Sequence, residues 1–264
     1  MFVYKNKEYE NVWFTSDEHY GSDRHILLSK RLEFSEDIAI AEIKSKYATT
    51  TPVFPLPKHI ERAIKNSRFG NKSDTRASIV NMNNKFIENH NLLVGKNDLV
   101  FHIGDFGDFS YSNKLNGDHI LIMGNYEYDD CMKNYDGNIP VYIDMLTTQY
   151  NFIDVLDNYT FDLSKTDQNI IGPYNEEIGQ IYITHKPENC IWISDIETGK
   201  YVPDIMPNDK YIMNLFGHIH EKSKIKRFGL NVGIDCHHYY PVSQGDVAFY
   251  LYAIFHYYDE NVFM

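Results

Sequence analysis

Five short apolar runs, each closed by a small or polar residue, constrain the fold of this chain more than any other feature. Val12-Trp13-Phe14-Thr15 ends in Ser16-Asp17, and Leu99-Val100-Phe101-His102-Ile103 ends in Gly104-Asp105. His119-Ile120-Leu121-Ile122-Met123 ends in Gly124-Asn125, the run from Gln180 to Thr184 ends in His185, and the run from Tyr211 to Phe216 ends in Gly217-His218. Each run has the length of a buried strand. A polar side chain just past the carboxyl end of a strand stands where open sheets with crossover connections place their ligands.

Between and after these runs the pattern changes. The segment from Thr75 to Asn91 predicts a helix, with Ser73 or Asp74 as its N-cap. Residues 36–47 read as an amphipathic helix, and the three prolines within 50–57 prevent it from continuing. The stretch from about 30 to 72 is therefore expected to be an insertion or lid beside a single domain covering 1–264. The second half reads as strands at Val141-Tyr142-Ile143, Tyr150 to Val155 and Tyr159 to Leu163, and as a long aromatic strand from Val247 to His256. The expected class is α/β (α+β): two β-sheets packed face to face as a sandwich, flanked by helices. A chain of 264 residues is long enough to bury such a core.

The net charge of −12 excludes general attraction of polyanions, so no general nucleic-acid-binding surface is expected. Asp residues clustered at strand ends would instead call for cations. Cys131, Cys190 and Cys236 have no CxxC spacing and an odd count, which predicts free thiols in a reducing compartment. No basic segment followed by an apolar run opens the chain, and no stretch approaches the length of a membrane span. A cytoplasmic protein without a membrane partner is the expectation.

Five pieces carry chemistry: Asp17-Glu18-His19, Gly104-Asp105, Gly124-Asn125-Tyr126-Glu127, Thr184-His185 and Gly217-His218-Ile219-His220. Each alone is common; their joint occurrence at strand ends is not. Intermediate cations such as manganese and iron take carboxylate, amide oxygen and imidazole ligands. Two cations about 4 Å apart need a carboxylate between them. Asp-x-His and His-x-His supply ligands from alternate residues on one side of an extended chain. The glycines before Asp105, Asn125 and His218 are expected to let the backbone turn tightly.

In this order the pieces resemble the calcineurin-like metallophosphoesterase superfamily, whose pattern is Asp-x-His, Gly-Asp, Gly-Asn-His-Glu/Asp, a lone His, then Gly-His-x-His. This chain reads DEH, GD, GNYE, TH and GHIH over about residues 10–245. Strings such as FTSDEHYG, NDLVFHIGDFG and NVGID also look like a small bacterial and phage branch. The resemblance implies one metal on Asp17, His19 and His220, a second on Asn125, His185 and His218, and Asp105 bridging both. The divalent pair is expected to be manganese or iron, with zinc, nickel or magnesium as alternatives. The implied reaction is hydrolysis of a phosphate ester by an activated water, without a covalent enzyme intermediate. The expected partner is a phosphate-ester substrate, such as a nucleotide or a nucleic-acid end.

At position 126 the family pattern carries His, which assists the leaving oxygen; this chain has Tyr126. With a pKa of about 10 a phenol is a weaker acid than an imidazole. Three explanations compete. Preference shifts toward phosphodiesters, with Asp105, Asn125 and Tyr126 as the catalytic group. Or His102, His237 or His238 replaces the lost imidazole. Or catalysis is lost and the fold serves as a partner-binding scaffold, against which stand seven polar residues brought to one point. A phosphomonoesterase or protein phosphatase is a further alternative. Glu127 is expected to orient a neighbour, Asn97-Asp98 to make a turn, and Tyr239-Tyr240 to pack. Arg24, His25, Arg68 and Arg76 are candidate phosphate contacts, with an ordinary helix start as the other reading of Arg24 and His25.

Overall fold

The computed structural model describes residues 1–34, 72–172, 176–194 and 201–259. A short hairpin of β1 (Phe2–Tyr4) and β2 (Lys7–Tyr9) precedes β3 (Val12–Thr15). Helix α1 (Asp23–Leu28) follows, and helix α2 (Lys72–Leu93) leads into β4 (Leu99–Ile103) and β5 (Asp118–Ile122). Two further helices, α3 (Asn125–Tyr135) and α4 (Ile139–Gln149), lead to β6 (Phe152–Leu156) and β7 (Tyr159–Asp162). Strands β8 (Ile178–Ile183), β9 (Trp192–Ser194), β10 (Tyr201–Ile205), β11 (Tyr211–Phe216), β12 (Ile225–Lys226), β13 (Gly229–Asn231) and β14 (Val242–Ser243) precede helix α5 (Gln244–Tyr257). The architecture is mixed α+β.

Strand β4 is buried at every position, and its run of Leu, Val, Phe and Ile needs cover on both faces. It lies at the centre of a five-stranded sheet ordered β14-β3-β4-β5-β6, in which β3, β4, β5 and β6 are parallel. In the second sheet β8 and β11 are parallel, with Leu215 opposite Ile183. One apolar cluster joins the sheets: Phe14, Phe101 and Ile122 from the first meet Ile181, Leu215 and Leu230 from the second. Fully burying one such side chain contributes about 1.5–3 kcal/mol. The other face of the first sheet, with Leu121, Phe152 and Val155, is covered by Met82 and Phe86 of α2, Cys131 of α3, and Tyr142 and Leu146 of α4. Parallel strands with such crossovers put all their carboxyl ends on one edge.

Three expectations are corrected. Val141-Tyr142-Ile143 lies within α4, where Asn138 caps the first turn, Pro140 sits in it, and Tyr142 and Leu146 face the core four residues apart. The aromatic run from Val247 to His256 lies in α5, burying Val247, Leu251 and Ile254 at helical spacing. Ser73 and Asp74 lie inside α2 rather than capping it. Most of the proposed insertion, including the helix at 36–47, the prolines of 50–57 and Arg68, lies outside the described residues; only its first residues, through Phe34, are described. The three cysteines are free thiols. Among the described residues no helix is long and apolar enough to cross a membrane.

Candidate metal centre

Each of the predicted side chains sits just past a strand at the shared edge. Asp17 and His19 follow β3, Asp105 follows β4, Asn125 opens α3 after β5, His185 follows β8, and His218 and His220 follow β11. Backbone bonds stitch the loops together. The amides of Asp17 and His19 donate to the carbonyls of Gly104 (3.1 Å) and Asp105 (3.0 Å), and Gly217 N donates to His185 O (2.9 Å). His218 N donates to Asp17 Oδ2 across the two sheets at 2.8 Å. The three glycines have different reasons. Gly104 has φ +82°, whereas a Cβ at Gly217 would stand 1.9 Å from Ser16 Oγ and one at Gly124 2.5 Å from Asp105 Oδ1. Only Gly104 is there for its turn; the other two let chains approach.

Ligand atoms of Asp17, His19 and Asp105 lie within 4.8 Å of one another, and so do those of Asp105, His185 and His218, and of His19, His25 and His220. Asp105 Oδ2 is 3.7 Å from His19 Nε2, and its Oδ1 is 3.4 Å from His185 Nε2. One carboxylate thus turns one oxygen to each of two groups. His220 Nε2 stands 3.9 Å from Asp17 Oδ1, and Asn125 Oδ1 stands 3.2 Å from His185 Nε2. Second partners orient two of these imidazoles. His185 Nδ1 donates to Ile103 O at 2.7 Å, and His220 Nδ1 to Asp235 Oδ2 at 2.7 Å.

The donor set fits a cation pair on an observation independent of motif order. Asp17 Oδ1 and both ring nitrogens of His19 are buried with no hydrogen-bond partner among the described residues. Leaving such groups unpaired costs about 1–3 kcal/mol each, more for a charged one. Backbone strain points the same way: Asp17, His19, Asp105, His218 and His220 all have positive φ, between +49° and +70°. Residues other than glycine adopt that region uncommonly, Asp and His more readily than most.

Burial and neighbouring charges pull the groups of the site in opposite directions. Burial pushes the Asp17 carboxyl up, opposed by His185 and His220. Burial also works against the Asp105 carboxylate, but its bond and charge pairing with His185 outweigh this and hold it below the usual range. Burial opposes the charged form of His185 as well, yet the hydrogen bond to Asp105 and the Asp17 and Asp105 charges push it up to about 9. His19 is held well below the ordinary imidazole value by burial and its cationic neighbours. Glu127 is fully buried and accepts from the amides of Asp105 (2.9 Å), Phe106 (2.9 Å) and Gly124 (2.8 Å), so it orients the loop as expected.

At position 126 the outcome differs from every replacement considered. His102 is buried behind the centre between Glu18 (2.6 Å) and His119 (2.9 Å). His237 gives its Nε2 to Asn231 O at 2.8 Å, and His238 is exposed. The imidazole hydrogen-bonded to Tyr126 is His25, whose Nε2 lies 3.1 Å from the tyrosine hydroxyl and whose Nδ1 meets Ser29 Oγ at 2.9 Å. Its ring stacks on His19 with centroids 3.4 Å apart. The helix start at Ser22-Asp23 is real, since α1 begins at Asp23, and its first turn delivers His25 to the centre. Arg24 and Arg76 are exposed. Asp98 accepts from Asn11, Trp13 and Gly95, closing the turn before β4. Tyr239 packs against Phe34 and Phe86.

A cleft of about 420 Å³ opens from Asn125 and His185 and is walled by Tyr128, Tyr182, Asn158 and Lys186. No family model matches the chain, and no curated protein matches it. Among solved structures, a protein of unknown function from Aquifex aeolicus aligns over 89% of this chain and 95% of its own, at 13% identity and a TM-score of 0.39. A likeness that distant carries no argument.

Proposed function

We propose that this chain is a dinuclear metal-dependent phosphoesterase with a preference for phosphodiesters. The observation that carries the reading is the convergence on Asp105. Its two oxygens face separate groups of nitrogen and oxygen donors, and the donors nearest its Oδ2 are buried and unpaired. In this reading Asp17, His19 and His220 hold one cation, Asn125, His185 and His218 hold the other, and Asp105 lies between them. Manganese or iron suits the mixture of imidazole, carboxylate and amide oxygen. When bound, the pair supplies Lewis acidity toward phosphoryl oxygens and makes a nucleophilic water available near neutral pH.

The rest falls to the chain. Asp105 takes a backbone hydrogen bond from Tyr126 at 3.0 Å, which fixes its orientation between the groups. Tyr126, itself hydrogen-bonded to His25, offers a phenolic hydrogen bond to the leaving oxygen. Burial makes that phenol a still weaker acid. Diesters with good leaving groups tolerate such a donor best. The cleft beside Asn125 receives the rest of the substrate, and its size suits a nucleotide or a nucleic-acid end. The apolar cluster shared by both sheets supports the helix-flanked two-sheet sandwich that the resemblance implies, within a single domain.

The test is an assay of manganese-loaded protein against paired mono- and diester chromogenic substrates, with Asp105→Asn as control. Manganese-dependent diester cleavage is expected in the wild type and absent in the variant. Equal inertness of both with every metal tried would overturn the reading.

A further inference from the structure

Behind His220 lie two buried charged side chains, Arg31 and Asp235, fully and almost fully shielded from solvent. They form a fork-to-fork pair: Arg31 Nε donates to Asp235 Oδ1 at 2.7 Å and Nη2 to Oδ2 at 3.0 Å. The rest of the guanidinium turns to the backbone that carries the centre. Nη2 donates to the carbonyl of Asp17 at 2.5 Å, and Nη1 to that of Glu18 at 2.8 Å. Its Cζ lies over the Phe86 ring, 5.1 Å from the centroid. Asp235 Oδ2 in turn accepts from His220 Nδ1 at 2.7 Å.

Apart from the bonds within the pair and a long contact from Arg31 Nη1 to Met82 Sδ at 3.8 Å, the hydrogen bonds of this pair end on the loop of Asp17 and His19 or on His220. A proton held on Nδ1 by a carboxylate leaves Nε2, the nitrogen facing Asp17, as the lone-pair donor. The two carbonyl bonds hold a loop whose Asp17 and His19 both have positive φ. The Asn125–His185–His218 group receives no hydrogen bond from either residue. Buried ion pairs are weak contributors to stability, so a guanidinium spent on this geometry calls for another reason.

We infer that Arg31 and Asp235 are a positioning pair that selectively sets the affinity of one cation seat, the one formed by Asp17, His19 and His220. This rests on the dinuclear reading. Outer partners of this kind change metal affinity by roughly 10- to 100-fold. Asp235→Asn keeps the shape but places an amide where one carboxylate oxygen served Arg31 or His220. It is expected to weaken one of two manganese sites by roughly 10- to 100-fold, leaving the other near its wild-type affinity.

The experiment is equilibrium dialysis with metal analysis on the intact chain, with electron paramagnetic resonance of the manganese-loaded protein. Wild type is expected to take up two ions and show an exchange-coupled spectrum. Asp235→Asn at limiting manganese is expected to take up one ion and show an uncoupled spectrum. A merely structural pair would lower the melting temperature and weaken both sites together, which would overturn the inference. Two ions bound by the variant at unchanged affinity would overturn it as well, while the dinuclear reading stood. No manganese uptake by wild type would overturn both. Should Asp235→Asn fail to fold, nitrogen-15 NMR of zinc-loaded wild type decides: His220 protonated on Nδ1 is expected, and protonation on Nε2 would refute the pair's role.

Discussion

At position 126 a phenol lies 3.1 Å from His25 Nε2 and edge-on to His19, with ring centroids 4.7 Å apart. A hydrogen bond from that phenol steadies a leaving oxygen that already departs readily, but it lends little to an alkoxide that needs a proton. Tyr126→His is therefore expected to raise the rate on monoesters relative to diesters by at least about tenfold, a part of the roughly 10²- to 10⁴-fold that a general acid typically contributes. The ratio of the two rates with matched chromogenic substrates checks this, and an unchanged ratio would remove the leaving-group argument. Asp17, His19, Asp105, Asn125, His185, His218 and His220 could be placed near strand ends from the sequence because each stands only a few residues past an apolar run. His25 could be noticed only as a residue near the Asp17 loop. Its place beside Tyr126 comes from one turn of α1 folding its ring onto His19. Arg31 and Asp235 gave no local signal, since 204 positions separate them and only the folded chain makes them partners.

Helices α4 and α5 show how composition misleads when spacing is neglected. Val, Tyr, Ile and Phe favour strands because they fit a half-buried pleated surface. The run from Val247 to His256 is rich in them, and yet its buried positions recur at three and four residues. The sequence also carried a start signal. Ser243 Oγ accepts from Asp246 N at 3.0 Å and donates to Asp246 Oδ2 at 2.7 Å, a reciprocal cap that the Ser-x-x-Asp spacing announces. Ser243 also closes β14, opposite Trp13 of β3, so the cap fixes where sheet gives way to helix. Ser243→Ala is expected to cost about 1 kcal/mol of stability, read as a lower denaturant midpoint at unchanged slope. A midpoint equal to that of the wild type would show that packing of Val247, Leu251 and Ile254 alone holds the helix in place.

At the scale of the molecule, strand ends could be read from the sequence, but strand order could not. Nothing local says that β8 pairs with β11 in parallel, or that the two sheets share one apolar cluster, and those facts bring five loops to one edge. The same packing buries a row of imidazoles behind the centre: His102 of β4 and His119 of β5 share a hydrogen bond, with His90 of α2 against them. Burial, with His102 nearby, holds His90 down at about 3, against the small upward pull of its bond to Asn116 O. Burial likewise keeps His119 well below the usual value. Such a ring stays neutral in the folded chain, whereas in the unfolded chain it takes a proton below about 6.5. The unfolded state then binds more protons, so the stability due to His90 is complete above about 6.5 and is lost as pH falls toward 3. At pH 5 the loss from His90 amounts to roughly 2 kcal/mol. His90→Gln keeps a donor for Asn116 O and cannot titrate. The wild-type Tm should therefore drop more between pH 7 and pH 5 than that of the variant. Equal drops would show that His90 takes up its proton without unfolding the chain, and that the imidazole row tolerates charge.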